Sequence, residues 1–584
     1  MSSILNFYDF EVFKYDWLVV IINPYEKSEV VIINDKEKLQ EYYDAHKNQI
    51  WVGYNNNHYD QYILKAILCG FNPKEVNDFI IKEDKKGWQF SSLFRKFQMY
   101  NFDVMQRNDG GLKSLEGFMG SNIKETSIPF DIDRKLTKSE IEETIKYCRH
   151  DVEQTIEVFL QRKDDLDVQL ELIKEFNLPL SFVTKTQTQL TAEILEAKSV
   201  RFGDDFNINF PEYLNRIKKY KYVVDWFKKF KTDKILSDDQ KKEIYKQNLE
   251  TEVAGVPHVF AWGGLHGALP KYFGEGYFLH IDVSQYYPSL MTGHNYFSRA
   301  ASDEGKRRYE MMRKESIRLK AFPELKKKRT GYKTCNNKAY GAMKDKYNKL
   351  FDPLNANNIC VTGQLALLLL IEMLEPHCKL IQSNTDGLIV KLYSIDDYEL
   401  IDDICWEWEQ LTHVKLAFDP IITRIYQKDV NNYLFVNEDG EIESKGAYVK
   451  SLSPLDFDLP IVNKAIVDYL IYDKPIEKTI NECDALIMFQ KIVKLSGKFK
   501  HVVHNGKIFT EKCFRVFAST RDCDSYIGKQ KEGNNTIEKF ANTPEHCFIV
   551  NDDVKKASVG WRLDKQWYIT MAKSRLRQFG VMQT

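Results

Sequence analysis

Three absences narrow what this 584-residue chain can be. It has almost no net charge: the formal value is −1 at pH 7, so bulk charge announces no nucleic-acid partner. Any such contact must come from basic residues gathered on particular surfaces. Its ten cysteines include no C-x-x-C pair, which argues against a zinc ribbon or an iron–sulfur cluster. His501, His504, Cys513 and Cys523 could be drawn as a zinc set, but their spacing is not a standard one and a structural role is expected. Isolated cysteines suit a reducing cytosol, so a cytoplasmic location is expected. No apolar run is long enough to span a bilayer. The longest, Val361 to Leu374, contains Gln364 and Glu372 and predicts a buried helix, with no membrane partner. Asp9 and Glu11 stand where a secretory leader would have its apolar core.

What is present is an ordinary globular composition, 43% hydrophobic and 29% charged, in a chain long enough for several domains. The first 35 residues alternate in the strand manner. Ile4–Val12, Trp17–Asn23 and Val30–Asn34 predict three sequential antiparallel strands. A helix (Lys36–His46), a short strand (Ile50–Tyr54) and a second helix (Tyr59–Leu68) follow, which together predict a mixed sheet with helical cover. Residues 138–165 predict a charged amphipathic helix, and a mostly helical connector comes after it. A second sheet is expected from about Tyr277. Between Lys306 and Arg329 eleven Lys/Arg stand against three Glu. No repeats or low-complexity linkers appear.

Carboxylates form the first pattern with chemical content. In FYDFEVF, Asp9 and Glu11 are two apart on a strand and so share a face. Asp60 ends NNNHYD at a helix start. In YCRHD, Tyr147 and Asp151 are four apart and share a helical face. Several carboxylates brought together could hold two divalent ions for phosphodiester hydrolysis. Each segment alone is common; their order is what carries weight.

These segments resemble the ExoI, ExoII and ExoIII motifs of the proofreading domains of family B DNA polymerases. Asp9 and Glu11 match the paired acids. Asn56-x-x-Tyr59-Asp60 fits N-x-x-(F/Y)-D, and Tyr147-x-x-x-Asp151 fits Y-x-x-x-D. The resemblance implies that Asp9, Glu11, Asp60 and Asp151 bind metal. It also implies that Tyr147 orients the attacking water and that Asn56 contacts a frayed primer end.

A second set lies downstream. YFLHIDVSQYYPSLM places Asp282 at the end of an apolar strand, and CKLIQSNTDGLIVKLY reads as two strands joined by an N-T-D-G turn with Asp386 at its tip. These resemble motifs A and C of the same family. The resemblance makes Asp282 and Asp386 the metal ligands and Tyr287 the residue that blocks a ribose 2′-hydroxyl. KTCNNKAYG resembles motif B, with Lys333, Asn337, Tyr340 and Gly341 around the nucleotide. Lys326 and Arg329 lie on the same helical face as Lys333. WGGLHGA, through Gly263 and Gly264, resembles the Y-x-G-G segment that touches the template. VNNYLFV resembles the primer-binding K-x-Y motif, with Asn431 in the lysine position and Tyr433 retained. Other departures are Gln285–Tyr286 for Ser–Leu in motif A and Asn384 for the first aspartate of motif C.

The resemblance covers Tyr8 to about Lys450 and implies an α+β, multidomain chain. Its parts would be a ribonuclease H-like exonuclease domain (1–190), a helical connector (191–255), a palm (256–300 and 345–450), fingers (301–344), and a thumb with C-terminal region (451–584). It implies a DNA polymerase with 3′→5′ proofreading, using Mg2+ or Mn2+, two ions per site. Primer-template DNA and dNTPs would be its partners. Asp282 to Lys333 spans 51 positions and Gly341 to Asp386 spans 45, which leaves little room for the insertions of protein-primed relatives. Conventional primer extension is therefore expected, and the compact form suggests a monomeric bacteriophage replication enzyme working beside phage helicase, primase and single-strand binding protein. Two alternatives stay open: an exonuclease whose polymerase half is a DNA-binding scaffold, and a repair or translesion polymerase.

Overall fold

In the computed structural model, which describes residues 5–531, 533 and 536–581, three N-terminal strands form close to the expected bounds. β1 (Leu5–Val12), β2 (Trp17–Asn23) and β3 (Ser28–Ile33) are antiparallel neighbours. β4 (Ile50–Gly53) pairs parallel with β1, and β5 (Tyr100–Asp103) pairs parallel with β4, giving the order β3-β2-β1-β4-β5. A central strand buried on both faces cannot show simple polar alternation, and β1 does not. Tyr8 and Phe10 enter a core with Leu39 of α1 (Lys36–His46) and Ile63 and Leu64 of α2 (Asp60–Cys69).

Beyond α3 (Pro73–Ile81) and the short α4 (Leu112–Phe118), α5 (Lys138–Gln161) covers the opposite face. There Phe159 meets Phe7 edge-to-face at 5.2 Å. Thr137 and Glu140 form a capping box that starts α5. The helix predicted over 138–165 is broken at Arg162, whose φ of −119° leaves the helical region and whose guanidinium makes paired bonds to Asp109 at 2.7 and 2.8 Å. α6 (Lys163–Glu175) restarts beyond it.

The connector holds α7 (Gln187–Ile194), α8 (Lys221–Lys228) and α9 (Asp238–Tyr245). It is not wholly helical: the second sheet begins with β6 (Asn248–Val253), well before Tyr277. β6 forms a hairpin with β7 (Val256–Ala261) through Ala254 and Gly255, both at positive φ. Alanine is an unusual residue in such a turn, so the usual hairpin signal was missing. β8 (Gly264–Ala268) and β9 (Tyr272–Val283) continue the sheet. Helices α10 (Tyr286–Gly293), α11 (Asp303–Arg318), α12 (Lys326–Lys344) and α13 (Pro353–Leu374) come next. α13 extends beyond the expected run to 22 residues, long and apolar enough by composition to cross a membrane, but 89% of its most apolar window is buried, as expected of a core helix.

β10 (Cys378–Ser383) and β11 (Gly387–Leu392) precede α14 (Tyr398–Thr412). β12 (Leu416–Phe418), β13 (Ile422–Asp429), β14 (Asn432–Asn437) and β15 (Ile442–Lys445) complete a sheet in the order β15-β14-β13-β9-β11-β10-β8-β7-β6, with β12 also pairing β9.

Two small sheets follow. β16 (Lys491–Lys494), β19 (Cys513–Ala518) and β22 (Cys547–Ile549) form one, and β17 (His501–His504), β18 (Lys507–Phe509), β20 (Gly528–Gln530) and β21 (Ile537–Lys539) form the other.

The chain is thus mixed α+β and multidomain. It divides into one unit of Met1–Thr184, Leu452–Ala465 and Pro475–Met571, and another of Lys185–Ser451, Ile466–Lys474 and Ala572–Thr584. The region expected as thumb, 451–584, is therefore shared between the two, and most of it clusters with the N-terminal residues.

Candidate active sites

The first site gathers on β1 and α5. Asp9 and Glu11 leave the same face of β1, and the sheet presents that face to α5, where the Cys148 thiol donates to the Asp9 backbone carbonyl at 3.3 Å. Asp9, Glu11 and Cys148 bring one ligand atom each within 4.8 Å of the others. Asp60 begins α2 with its side chain buried, accepting the Phe10 N–H at 3.2 Å. Its helix N-terminus favours a negative charge there. Asp103 anchors the loop leading to it by accepting the N–H groups of Asn55 and Asn57 at 2.8 and 3.2 Å.

Four acids in a dry place repel one another. Burial, then the charges of Asp60, Glu11 and Asp151, raises the Asp9 pKa well above the usual range. Burial, then the charges of Asp151 and Asp60, raises that of Glu11, although Lys113 opposes the rise. Asp60 is pushed up to about 7 by burial, against the pull of its bond from Phe10. Asp151 is pushed up to about 6 by burial, although Lys113 opposes the rise. Hard oxygen donors that are costly to ionise without a counter-charge fit a pair of divalent cations.

Several residues here carried no signal in the sequence. Lys113 Nζ lies 2.7 Å from Asp151 Oδ1, 3.1 Å from Glu116 Oε2 and 4.7 Å from the centre of the Tyr147 ring. Glu116 is fully buried, and its other oxygen has no hydrogen-bond partner among the described residues. The Tyr147 hydroxyl donates to Glu125 at 3.0 Å. Lys113 and Glu116 are one helical turn apart on α4, a spacing common in surface helices. The seven-residue α4 gives no sign in sequence that it packs on α5. Asn56, the residue expected at a frayed DNA end, is buried against β5, where its amide donates to the Phe102 carbonyl at 3.4 Å.

The second site lies where three turns converge. Asp282, near the end of β9, is opposite Gly387 in the antiparallel β9–β11 register. The Val283 N–H donates to the Asp386 carbonyl at 2.7 Å, so the two aspartates sit on adjoining strand ends. The N-T-D-G turn joins β10 and β11 as predicted. Burial, then the charge of Asp386, pushes the Asp282 pKa up to about 6. The donor set again suits a divalent ion. Asn384 turns its side-chain oxygen to its neighbour's amide, the Thr385 N–H, at 2.5 Å.

The double glycine meets this turn directly. Gly264 has φ +146°, and a Cβ added there would come within 3.1 Å of the Thr385 hydroxyl. Trp262 beside it is core, ringed edge-on by Phe206, Phe227 and Tyr245. Under the same strands His258 is buried, with Nε2 2.7 Å from Ser383 Oγ. Burial holds its pKa down at about 4, so it is neutral.

Tyr287 on α10 stacks on Tyr340 of α12 with ring centres 4.0 Å apart, so the motif A and motif B residues meet. Lys326, Arg329 and Lys333 follow one face of α12, whose Lys333, Asn337 and Gly341 are exposed. Arg329 Nε donates to the Ser316 carbonyl at 3.2 Å, and the Gln285 amide donates to Ser316 Oγ at 3.0 Å. Asn431 is exposed in the β13–β14 turn. Tyr433 is buried, stacked on Phe435 at 4.2 Å, with Lys445 Nζ 5.7 Å from its ring centre. Lys428 is paired with Asp429 at 2.6 Å. The four residues drawn as a zinc set do not gather: Cys513 lies against Ser114, whereas His504 is near Ser525 and Cys547.

No family model matches this chain, and no curated protein matches it. Among solved structures, the family B DNA polymerase from the hyperthermophilic archaeon Pyrobaculum calidifontis is similar with a TM-score of 0.45 and 13% identity, over 100% of this chain and 79% of that one.

Proposed function

We propose that the chain is a family B-like DNA-directed DNA polymerase carrying a 3′→5′ proofreading exonuclease. One observation carries the reading: Asp282 and Asp386, 104 positions apart in the chain, meet at the adjoining ends of β9 and β11 beside the turn that Gly264 contacts, while Tyr287 and Tyr340 stack nearby. The five-stranded order of the first unit, three antiparallel strands followed by two parallel ones, suits the ribonuclease H-like layout for the nuclease. The pair α11–α12 fills the interval between Asp282 and Lys333, in keeping with extension of an ordinary primer. A bacteriophage source remains part of the proposal on grounds of compactness alone.

Divalent ions such as Mg2+ or Mn2+ bound at each carboxylate set would supply charge neutralisation and an activated oxygen nucleophile. The protein groups do the rest. At the synthetic site Asp282 and Asp386 hold negative charge where the primer end and triphosphate must meet. Lys333 with Arg329 and Lys326 offers a cationic face to the triphosphate oxygens. Tyr287, braced by its stack on Tyr340, closes the sugar side of the pocket against a 2′-hydroxyl. Lys445, beside Tyr433, supplies the primer-side charge that Asn431 lacks. At the nuclease site Asp9, Glu11, Asp60 and Asp151 form the acidic set, and Tyr147, aligned by its bond to Glu125, orients the water.

The test separates the two sites. Asp386→Ala should abolish primer extension and leave single-strand degradation intact; the paired change Asp9→Ala with Glu11→Ala should do the reverse. Loss of both activities from either variant, in protein that still melts cooperatively, would refute the assignment.

A further inference from the structure

The nuclease reading places its acids on β1, α2 and α5, yet the segment that closes over α5 is held from the C-terminal end of the chain. Residues 113–127 lie along the site face of α5. Lys113 bonds Asp151, the Asn122 carbonyl lies 2.9 Å from His150 Nε2, and Glu125 accepts from Tyr147. None of these contacts is made by the strands that carry Asp9 and Glu11.

The other side of the segment is fastened to the small sheet β16-β19-β22 and the chain after it. Arg515 of β19 is a fully buried arginine, and every hydrogen bond its side chain makes is to an uncharged oxygen. Its Nη2 donates to the carbonyls of Gly117 at 3.1 Å and Ser121 at 2.7 Å. Its Nη1 donates to the carbonyls of Asp552 at 2.6 Å and Val550 at 3.4 Å, and its Nε to Gln490 Oε1 at 3.0 Å. Gln490 in turn donates to the Phe118 carbonyl at 2.9 Å. The backbone adds Ile123 N–H to the Asn551 carbonyl and Val554 N–H to the Gly120 carbonyl, each at 2.9 Å. Ile123, Ile492, Cys513 and Phe118 seal the contact with apolar surface.

A guanidinium presents five donors in a fixed fork: here two reach the 117–121 segment, about 400 positions away, and the others hold Gln490 and the carbonyls of Val550 and Asp552. Such a buried charge is costly unless its partners stay in place, so Arg515 locks the path of residues 117–121 against β19. The positions of Lys113 at the start of α4 and of Glu125 after it follow from that path.

Resting on the nuclease reading, we infer that the C-terminal sheet is a working part of the nuclease site and that Arg515 is its positioning residue, acting through Lys113 on Asp151 and through Glu125 on Tyr147. Arg515 touches no substrate. Its loss lowers the rate of hydrolysis and leaves the grip on single-stranded DNA as it was.

The experiment compares the full-length chain with Arg515→Met at a temperature where both give unchanged circular dichroism. Single-strand degradation and primer extension are measured in the same preparations. The expected result is a fall of at least ten-fold in nuclease kcat with KM within two-fold, and extension within two-fold of wild type. Arg515→Lys, which keeps the charge with fewer donors, should fall between the two. In a Lys113→Met background, adding Arg515→Met should cost clearly less than it does alone. Wild-type kcat in folded Arg515→Met, or equal loss of both activities, overturns the inference. Should Arg515→Met not fold, Gln490→Met takes its place, and an unchanged nuclease kcat there overturns it equally. A wild-type chain without nuclease activity would sink the nuclease reading itself, which is a different outcome.

Discussion

Asp60 supplies a test of the acidic set that needs no DNA. It is 2% exposed, and burial holds its carboxyl at about 7, against about 4 in an unfolded chain. Between those values the folded protein keeps a proton that the unfolded chain has lost. Unfolding then releases a proton, so stability falls as pH rises through this window and the full penalty applies above pH 7. A displacement of about three units at 1.36 kcal/mol each amounts to at most about 4 kcal/mol. Asp60→Asn removes the ionisation but keeps a side-chain oxygen to accept the Phe10 N–H. In EDTA at pH 8 the variant should therefore be more stable than wild type, by as much as about 8 °C in the melting of the first unit at roughly 2 °C per kcal/mol. At pH 4.5, where the penalty is under about 1 kcal/mol, the advantage should nearly vanish. Adding Mg2+ at pH 8 should raise the wild-type melting temperature far more than that of the variant, because bound cations stabilise the charged carboxylates only where all are present. Calorimetry at the two pH values, with and without metal, decides the matter. A variant no more stable than wild type at pH 8, or equally stabilised at both pH values, would refute the claim that these acids strain the metal-free site.

Other consequences follow from single contacts. Tyr287→Val removes the ring braced on Tyr340 at 4.0 Å and should raise ribonucleotide incorporation by ten-fold or more at unchanged dNTP turnover; primer extension with rNTPs measures it. Gly267→Ala would place a Cβ 2.4 Å from the His258 ring, which is fixed between the Val256 carbonyl and Ser383. Thermal melting should register a cost of about 1–3 kcal/mol from this overpacking. Lys445→Ala should weaken primer-template binding and flatten its salt dependence in filter binding, whereas Lys428→Ala, already paired with Asp429, should change little.

How much of this was legible in sequence depends on how far apart the cooperating residues stand. Asp9 with Glu11, and Tyr147 with Asp151, could be read because a strand's period of two and a helix's turn of four place each pair on one face before any tertiary contact exists. The N-T-D-G hairpin was legible for the same reason: its turn chemistry is local. The β6–β7 hairpin was not, because Ala254 fills a left-handed position where glycine or asparagine would have announced the turn. The bond of the Asn56 amide to β5 could not be read, because it is set by the parallel pairing of β4 with β5 and not by neighbours in sequence.

The least legible features are those that join distant segments through groups with no local period. Arg515 sits in a strand whose six residues are all buried, where a charge looks like an error until the carbonyls of 117 and 121 arrive from the other end of the chain. Lys113 and Glu116 likewise look like surface residues of a short polar helix until α5 is placed beside them. Asp9 with Glu11, and Tyr147 with Asp151, could be found because strand and helix periods put each pair on one face. The groups that hold them apart, or hold them still, are specified by the fold, and the test of Arg515 asks whether such a distant support sets the rate of a site it does not touch.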